Sequence, residues 1–422
     1  MRASHATIGA SALTIPHWFL VALGWTLGAG ALTSIVLWGL VWIRVEHSSA
    51  VIPTLRRGER LARETPPRSS VCVVVPAHNE SRVIAGLVQS LRQETYPNLR
   101  VVLCLDRCTD NTAALARQAI GDDARFEVIE ITACPPDWAG KVHAVHTGAT
   151  TSRGAADAEY LLFADADTLF EPGCIAASLA MMRDRRVEFL SLLSTLTYHT
   201  WFERLVQTAA GFELLRQYPL TRANAREERR AFANGQFMLL DRATYEKVGG
   251  HVAVKNAVLE DLALAKRADE RGVSIGVFLA DGLFYCRMYA DWQQFRRGWK
   301  RIYTEAANRK AARLGGSSMR LRWLGTIVPL WMLPAGPFGL LVLGRDPAMG
   351  WTLLAMWVLG LTLWLGSLLR ISAISRAPLW TAPLHLIGAW LTANILREAQ
   401  QDLLRGATTT WGGREFVMNE RQ

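Results

Sequence analysis

Val71-Cys72-Val73-Val74-Val75-Pro76-Ala77-His78-Asn79-Glu80 is the stretch whose reading decides the fold. Its first five residues are apolar without alternation, and four of them are valines. Such a run fits a strand covered on both faces, as in the parallel sheets of α/β proteins. A polar turn follows at Ala77 to Glu80, and then Val83, Leu87 and Leu91 recur at helical spacing within 82–93. Outward along the chain the alternation repeats. Residues 100–105 predict a second strand, 111–119 a helix with Thr109 or Asp110 as N-cap, Phe126–Ile131 a third strand and Tyr160–Ala164 a fourth. Strands alternating with helices predict a doubly wound α/β sheet. Ligands in such sheets sit at the carboxyl ends of the strands.

Acidic residues fall at several of those ends. Asp165 and Asp167 follow the fourth strand directly, in Phe163-Ala164-Asp165-Ala166-Asp167-Thr168. Two apart in an extended chain, they point the same way. A pair of carboxylates there suits a hard divalent cation bridged to a diphosphate, although a solvated turn explains the pair equally well. Asp106 ends the second strand. Glu260-Asp261 opens a helix carrying Leu262, Ala265 and Ala268, a placement the helix dipole alone favours. Gly140-Lys141 precedes a helix starting near Val142, where the lysine is placed to meet a phosphate or simply to be solvated.

The flanks read as membrane. Residues 17–43 carry no formal charge unless His17 is protonated, and about 20 apolar residues span a hydrocarbon core of ~30 Å. Arg2 alone precedes this run, whereas Arg44, Arg56, Arg57, Arg60, Arg63 and Arg68 follow it. The positive-inside rule places the N-terminus outside and the next domain in the cytoplasm. Three more apolar runs, 324–343, 351–369 and 379–395, close the chain, the last being the weakest with Pro383 and His385. Four spans would leave Arg405, Trp411, Arg414 and Arg421 outside, so one weak run is expected to be re-entrant or interfacial. The division expected is a tail (1–16), an anchor (17–43), a basic linker (44–70), a catalytic domain (71–291), a basic amphipathic interface segment (292–323), a transmembrane region of two or three helices (324–395) and a tail (396–422).

Composition fits a membrane-anchored enzyme. Of 422 residues, 50% are hydrophobic and 20% charged, with 16 tryptophans and a formal net charge of +10. The basic surplus lies beside apolar segments, so anionic lipid rather than nucleic acid is the expected partner. The six cysteines have no CxxC spacing and read as small core residues in a reducing compartment. Residues 197–220 carry Trp201, Phe202, Leu205, Phe212, Leu215 and Tyr218. They suit either a core-facing helix or an interfacial one.

In this order the motifs resemble the family 2 glycosyltransferases of GT-A fold, over about 71–299. Pro76, Asn79 and Glu80 look like the opening strand–loop motif of that family, and Asp106 like the aspartate that contacts the nucleotide base. Leu105 and Arg107 replace an aspartate and a glycine of the usual pattern. Asp165 and Asp167 match the metal-binding DxD pair, with Asp167 the direct ligand. Glu260 and Asp261 match the acidic pair that supplies the catalytic base, Asp261 being the base itself. Gln293-Gln294-Phe295-Arg296 resembles the start of the QxxRW motif of processive synthases, but Arg297 stands where its tryptophan belongs and Trp299 comes two residues late. Trp292 to Arg313 also reads as a basic amphipathic helix on the membrane. Gly140-Lys141, Asn234-Gly235-Gln236-Phe237-Met238 and Trp411-Gly412-Gly413-Arg414 add a likeness to the hopene-associated and carotenoid glycosyltransferase subgroup. The resemblance implies an inverting hexosyl transfer from a nucleotide-sugar, UDP-sugar by family default, to a lipid or membrane-associated acceptor at the plasma membrane. It implies Mg²⁺ or Mn²⁺ at Asp165 and Asp167, and donor contacts from Pro76, Asn79, Glu80, Asp106, Lys141, Asp165 and Arg296. A processive membrane polysaccharide synthase is the alternative. A nucleotidyltransferase would carry a glycine-rich loop where 76–80 has no glycine.

Overall fold

The computed structural model describes residues 16–225, 229–257, 259–411 and 414–417. Arg2, Gly412, Gly413 and Arg421 lie outside the described residues. The strands are β1 (Val71–Ala77), β2 (Leu99–Asp106), β3 (Phe126–Ile131), β4 (Tyr160–Ala164), β5 (Thr168–Phe170), β6 (Phe189–Leu193), β7 (Thr195–Leu196), β8 (Phe237–Asp241), β9 (Ile275–Leu279) and β10 (Phe284–Cys286). A short hairpin, β11 (Thr408–Trp411) with β12 (Arg414–Val417), lies near the C-terminus.

Seven strands form one sheet in the order β3-β2-β1-β4-β8-β6-β9. Valines 71 and 73 to 75 are wholly buried, as the unalternating run predicts, because layers of helix cover both faces. Strands β3, β2, β1 and β4 run parallel, the α/β pattern expected. The sheet is not parallel throughout, since β8 runs antiparallel to both β4 and β6. That reversal positions the site. The start of β8 pairs with the end of β4, Phe237 opposite Ala164, so residues 234–236 arrive at the carboxyl rim of the parallel strands. A small second sheet, β5-β10-β7, folds over the same edge.

Helix boundaries differ modestly from the sequence reading. The first helix of the sheet starts at Ile84, after a turn at 81–83. The N-cap of the helix Thr112–Ile120 is Asn111, not Thr109 or Asp110, because the Asp110 carboxylate instead braces the preceding turn, accepting from Thr112 N–H (3.0 Å) and Ser81 N–H (3.3 Å). The expected linker is mostly ordered structure. The first long helix runs to Val51, and a second, Leu55–Glu64, packs on Cys174–Arg185 with Leu55 fully buried in the core.

Among the described residues three helical segments are long and apolar enough to cross a membrane: His17–Val51, Ala311–Val342 and Pro347–Ser375. The second contains a π turn at Trp323–Ile327, next to Pro329, whose missing N–H breaks the regular ladder. Glycines let these segments meet closely, Gly30 against Trp331 and Gly336 against Trp357. The weak run at 379–395 folds differently from a span. A 3₁₀ turn, Leu379–Leu384, leads into the helix His385–Leu404. That helix buries Ala389, Ala393, Leu396 and Leu403 against Phe202, Phe295, Trp299 and Tyr303. Its Glu398 and Asp402 pair with Arg296 and Lys300 of the helix Trp292–Ala306. Residues 201–217 form a helix with a π turn at Glu203–Gln207, and Phe202, Val206 and Ala210 face that same cluster. All six cysteines are free thiols, four of them buried.

Candidate active site

The parallel strands β1, β2 and β4 end on one rim. Each delivers its next residues there: 78–80 after β1, Asp106 at the end of β2, and 165–167 after β4. Asp165 and Asp167 sit in a turn rather than in an extended continuation of β4. The turn is fixed at both ends. Thr168 Oγ1 donates to Asp165 O (2.7 Å) and Arg287 N–H donates to Asp167 O (3.0 Å).

The helix Gly140–Thr151 begins at the same rim and carries Lys141 into the middle of it. Lys141 Nζ lies 2.7 Å from Asp165 Oδ1 and 2.6 Å from Glu260 Oε1. One ammonium thus joins the carboxylates after β4 to those opening the helix Glu260–Glu270. Asp261, beside Glu260, accepts two backbone bonds: from Gly235 N–H at Oδ2 (2.9 Å) and from Leu262 N–H at Oδ1 (2.7 Å). Gly235 is at the meeting point. A Cβ there would lie 3.2 Å from Asp261 Oδ2, 3.3 Å from Glu260 Oε1 and 3.3 Å from Lys141 Nζ. The residues around it hold it in place. Asn234 N–H donates to Ser191 Oγ (2.8 Å) and its Nδ2 to Leu192 O (2.9 Å), while Ser194 Oγ donates to Gln236 Oε1 (2.6 Å).

Burial and crowding set the protonation of these groups. Burial, then the charge of Glu260, pushes Asp261 up to about 6. Burial, then Asp165 and Glu80, pushes Asp167 up to about 7. Glu80 rises to about 7 through burial and the charges of Asp165 and Asp110. Burial outweighs Lys141 at Asp165, which is also raised. At Glu260 burial works in the same direction but Lys141 prevails, and the carboxylate is held below its usual range. Lys141 in turn is held well above the ordinary lysine value, because the two carboxylates overcome its burial.

Among the described residues no three His, Cys, Asp or Glu side chains form a metal cage. The pair nevertheless fits a cation of the Mg²⁺ or Mn²⁺ kind, which takes one or two carboxylates and completes its shell with phosphate and water. Asp167 Oδ1 is buried and accepts no hydrogen bond from nitrogen or oxygen, whereas Asp165 is already engaged by Lys141.

The other expected site residues are distributed as follows. Pro76, in β1, is half-buried, and Asn79 adopts a left-handed backbone (φ 58°), with Oδ1 accepting from Thr109 N–H (2.8 Å). Asp106 is buried and bonded bidentately by Arg107, at 2.8 and 2.7 Å. Arg107 also has a left-handed backbone (φ 47°), and its guanidinium lies so close to Gly140 that a Cβ there would be 2.6 Å from Nη2. Arg296 is not brought to the carboxylates. It pairs with Glu398 (2.6 Å).

Arg301 is the cation of that helix within electrostatic reach of the rim. Burial lowers its guanidinium, while Tyr289, Glu260, Asp261 and Asp165 act on it in the opposite sense. Five positions separate Arg296 from Arg301, about 140° around a helix of 3.6 residues per turn. The i, i+4 spacing of buried Phe295, Trp299 and Tyr303 could have indicated which arginine turns inward. Two more groups were not legible. Cys286 lies buried against Asp167, which contributes to raising its thiol. His251, fully buried, bonds Tyr245 Oη (2.9 Å) and packs edge-on to Phe163, within electrostatic reach of Glu260.

Comparison with known proteins identifies the family. Residues 66–310, more than half of the chain, match the family described as "Glycosyltransferase like family 2". The chain is 26% identical over 268 residues to a 4,4'-diaponeurosporenoate glycosyltransferase of Staphylococcus aureus, a match spanning 62% of this chain and 66% of that relative's length. Among solved structures it is similar to the mannosyltransferase PcManGT of Pyrobaculum calidifontis in complex with GDP-Man and Mn²⁺. That likeness has 17% identity and a TM-score of 0.45, over 90% of this chain and 99% of the other. It is also similar to S. aureus TarS 1-349 in complex with UDP-GlcNAc, at 12% identity and a TM-score of 0.39, over 82% and 96%. With the family matched over the whole sheet and its acidic rim, this chain belongs to the family 2 glycosyltransferases, of GT-A class.

Proposed function

We propose that this enzyme is an inverting transferase that moves a hexosyl group from a nucleoside-diphosphate donor to a lipid or membrane-associated acceptor. The observation that carries the reading is the Lys141 bridge, which draws together the carboxylates after β4 and those opening the helix Glu260–Glu270. Donor binding falls to the rim residues Pro76, Asn79, Glu80, Asp106, Lys141 and Asp165. Asp167 and Asp165 would hold Mg²⁺ or Mn²⁺, which when bound supplies Lewis-acid neutralisation of the leaving diphosphate.

Proton removal from the acceptor hydroxyl falls to Asp261. Glu260 is committed to Lys141 and held below its usual range, so it is a poor proton acceptor. Asp261, pushed up to about 6, is ionised at neutral pH yet basic enough to act. The N–H groups of Gly235 and Leu262 fix its orientation without neutralising it.

A membrane acceptor is supported by three apolar helices long enough to span and by the path of the chain away from the rim. Arg287 bonds Asp167 O, and five residues on Trp292 stands in an aromatic cluster with Trp201, which is 53% exposed. The named acceptor of the S. aureus relative, 4,4'-diaponeurosporenoate, suits a lipid-type acceptor here. If all three cross a bacterial inner membrane with the N-terminus outside, as the positive-inside rule favours, the catalytic domain and the helix His385–Leu404 would both lie on the cytoplasmic side.

The test is transfer by proteoliposomes of the full chain, screened across UDP- and GDP-sugars with and without Mn²⁺, with a membrane lipid extract as acceptor. Single addition to a lipid is expected. No transfer from any donor would remove the proposal, and a polymer made from donor alone would replace it with processive synthesis.

A further inference from the structure

Lys141 has more to do than neutralise a rim. We propose that it is the resident cation of this site: it holds Asp165 and Glu260 while the donor is absent and passes to the diphosphate when the donor arrives. Divalent metal and nucleotide then bind tightly only together. This rests on the transferase reading above.

Three observations support it. First, the ammonium spans two carboxylates at 2.7 and 2.6 Å, and a Cβ on Gly235 would lie only 3.3 Å from it. A divalent cation reaching Asp165 must therefore approach a positive charge already there, and like charges at contact distance repel. Second, Lys141 is the second residue of the helix Gly140–Thr151, whose first turn is capped by no side chain. Its open N–H groups and the helix dipole favour an anion beside the lysine. Third, lysine is suited to the exchange. Its flexible stem and three donors let it trade carboxylates for phosphate oxygens by changing rotamer, which a forked guanidinium does less readily. Once the lysine moves, Asp165 is released to the metal. Each ligand thus removes an obstacle to the other, and the coupling is reciprocal by thermodynamic linkage.

The experiment uses the full chain in detergent micelles, with Mn²⁺ binding followed by electron paramagnetic resonance in the presence and absence of UDP or GDP. For the wild type, saturating nucleotide should tighten Mn²⁺ binding about 10-fold or more, within the usual range of site-to-site coupling. Lys141→Met should bind Mn²⁺ alone about 10-fold tighter than wild type and lose most of the nucleotide effect. Unchanged or weaker Mn²⁺ binding by folded Lys141→Met overturns the proposal. Should that variant fail to fold, the wild type decides, since equal Mn²⁺ affinity with and without bound nucleotide also overturns it. If neither nucleotide binds while Lys141→Met still gains Mn²⁺ affinity, the resident-cation role stands and the transferase reading fails.

Discussion

Replacing Asp261 by asparagine removes a charge while keeping the shape, and the structure fixes what that costs. Both carboxylate oxygens accept backbone N–H groups, from Leu262 at 2.7 Å and Gly235 at 2.9 Å. An amide has one accepting oxygen, so Asp261→Asn must turn its NH₂ toward one of those donors. A buried donor left without a partner costs about 1–3 kcal/mol. Against that, the neutral side chain no longer repels Glu260, a repulsion that together with burial lifts Asp261 to about 6. The two effects oppose, and the apparent Tm should move by no more than a few degrees. Turnover should fall far more, by about 10²–10⁴, the usual contribution of a general base. That is about 3–5 kcal/mol of barrier at 1.36 kcal/mol per decade. The assay is single-turnover transfer in proteoliposomes across pH 5 to 8, with nucleotide binding measured separately. Wild-type turnover should drop about tenfold per pH unit below pH ~6, as a base of that strength becomes protonated. The variant should be slow and nearly flat over the same range, with nucleotide affinity retained. An Asn variant within threefold of wild type, or one that keeps the acid limb, would refute Asp261 as the base.

Gly235→Ala places a methyl 3.2 to 3.3 Å from Asp261, Glu260 and Lys141. Neighbours must shift by a few tenths of an ångström, so kcat should fall about 10- to 100-fold with donor KM little changed, and a KM effect alone would contradict this. Glu80 and Asp167 are raised to about 7 from an unfolded value near 4, so the folded metal-free protein binds more protons than the unfolded chain between those limits. Their contribution to stability therefore falls as pH rises through that window, and the chelator-treated protein should melt higher at pH 5.5 than at pH 7.5. A Cβ on Gly388 would sit on Leu205 O, in the seam between the helix His385–Leu404 and the π turn Glu203–Gln207. Gly388→Ala should cost about 1–3 kcal/mol through overpacking, read as a lower apparent Tm in detergent, whereas Gly316→Ala, with nothing within 4 Å, should not.

The local rules of the chain were enough to find the strands and the acids. An unbroken run of valines has few fates besides a strand covered twice, and β1 is buried as that run requires. Because β1, β2 and β4 run parallel, carboxylates following them in sequence had to collect on one rim, so Asp106, Asp165 and Asp167 were legible before any coordinate. The length and apolarity of 17–43 likewise pointed to a helix long enough to span, and His17–Val51 is one. Other features depend on pairings between distant segments, which no window of sequence contains. The reversal of β8 against β4 brings Gly235 to Asp261, and Lys141 meets Glu260 across 119 residues because two helix starts converge there. Arg296 illustrates the same limit. Its motif pointed to the donor, but helix rotation was set by Phe295, Trp299 and Tyr303 burying against the helix His385–Leu404, which turned Arg296 to Glu398 and left Arg301 toward the acids. Burial of large side chains outweighs the preference of a single charge that can find a partner on either side, so tertiary packing, rather than the motif, decided which arginine faces the site.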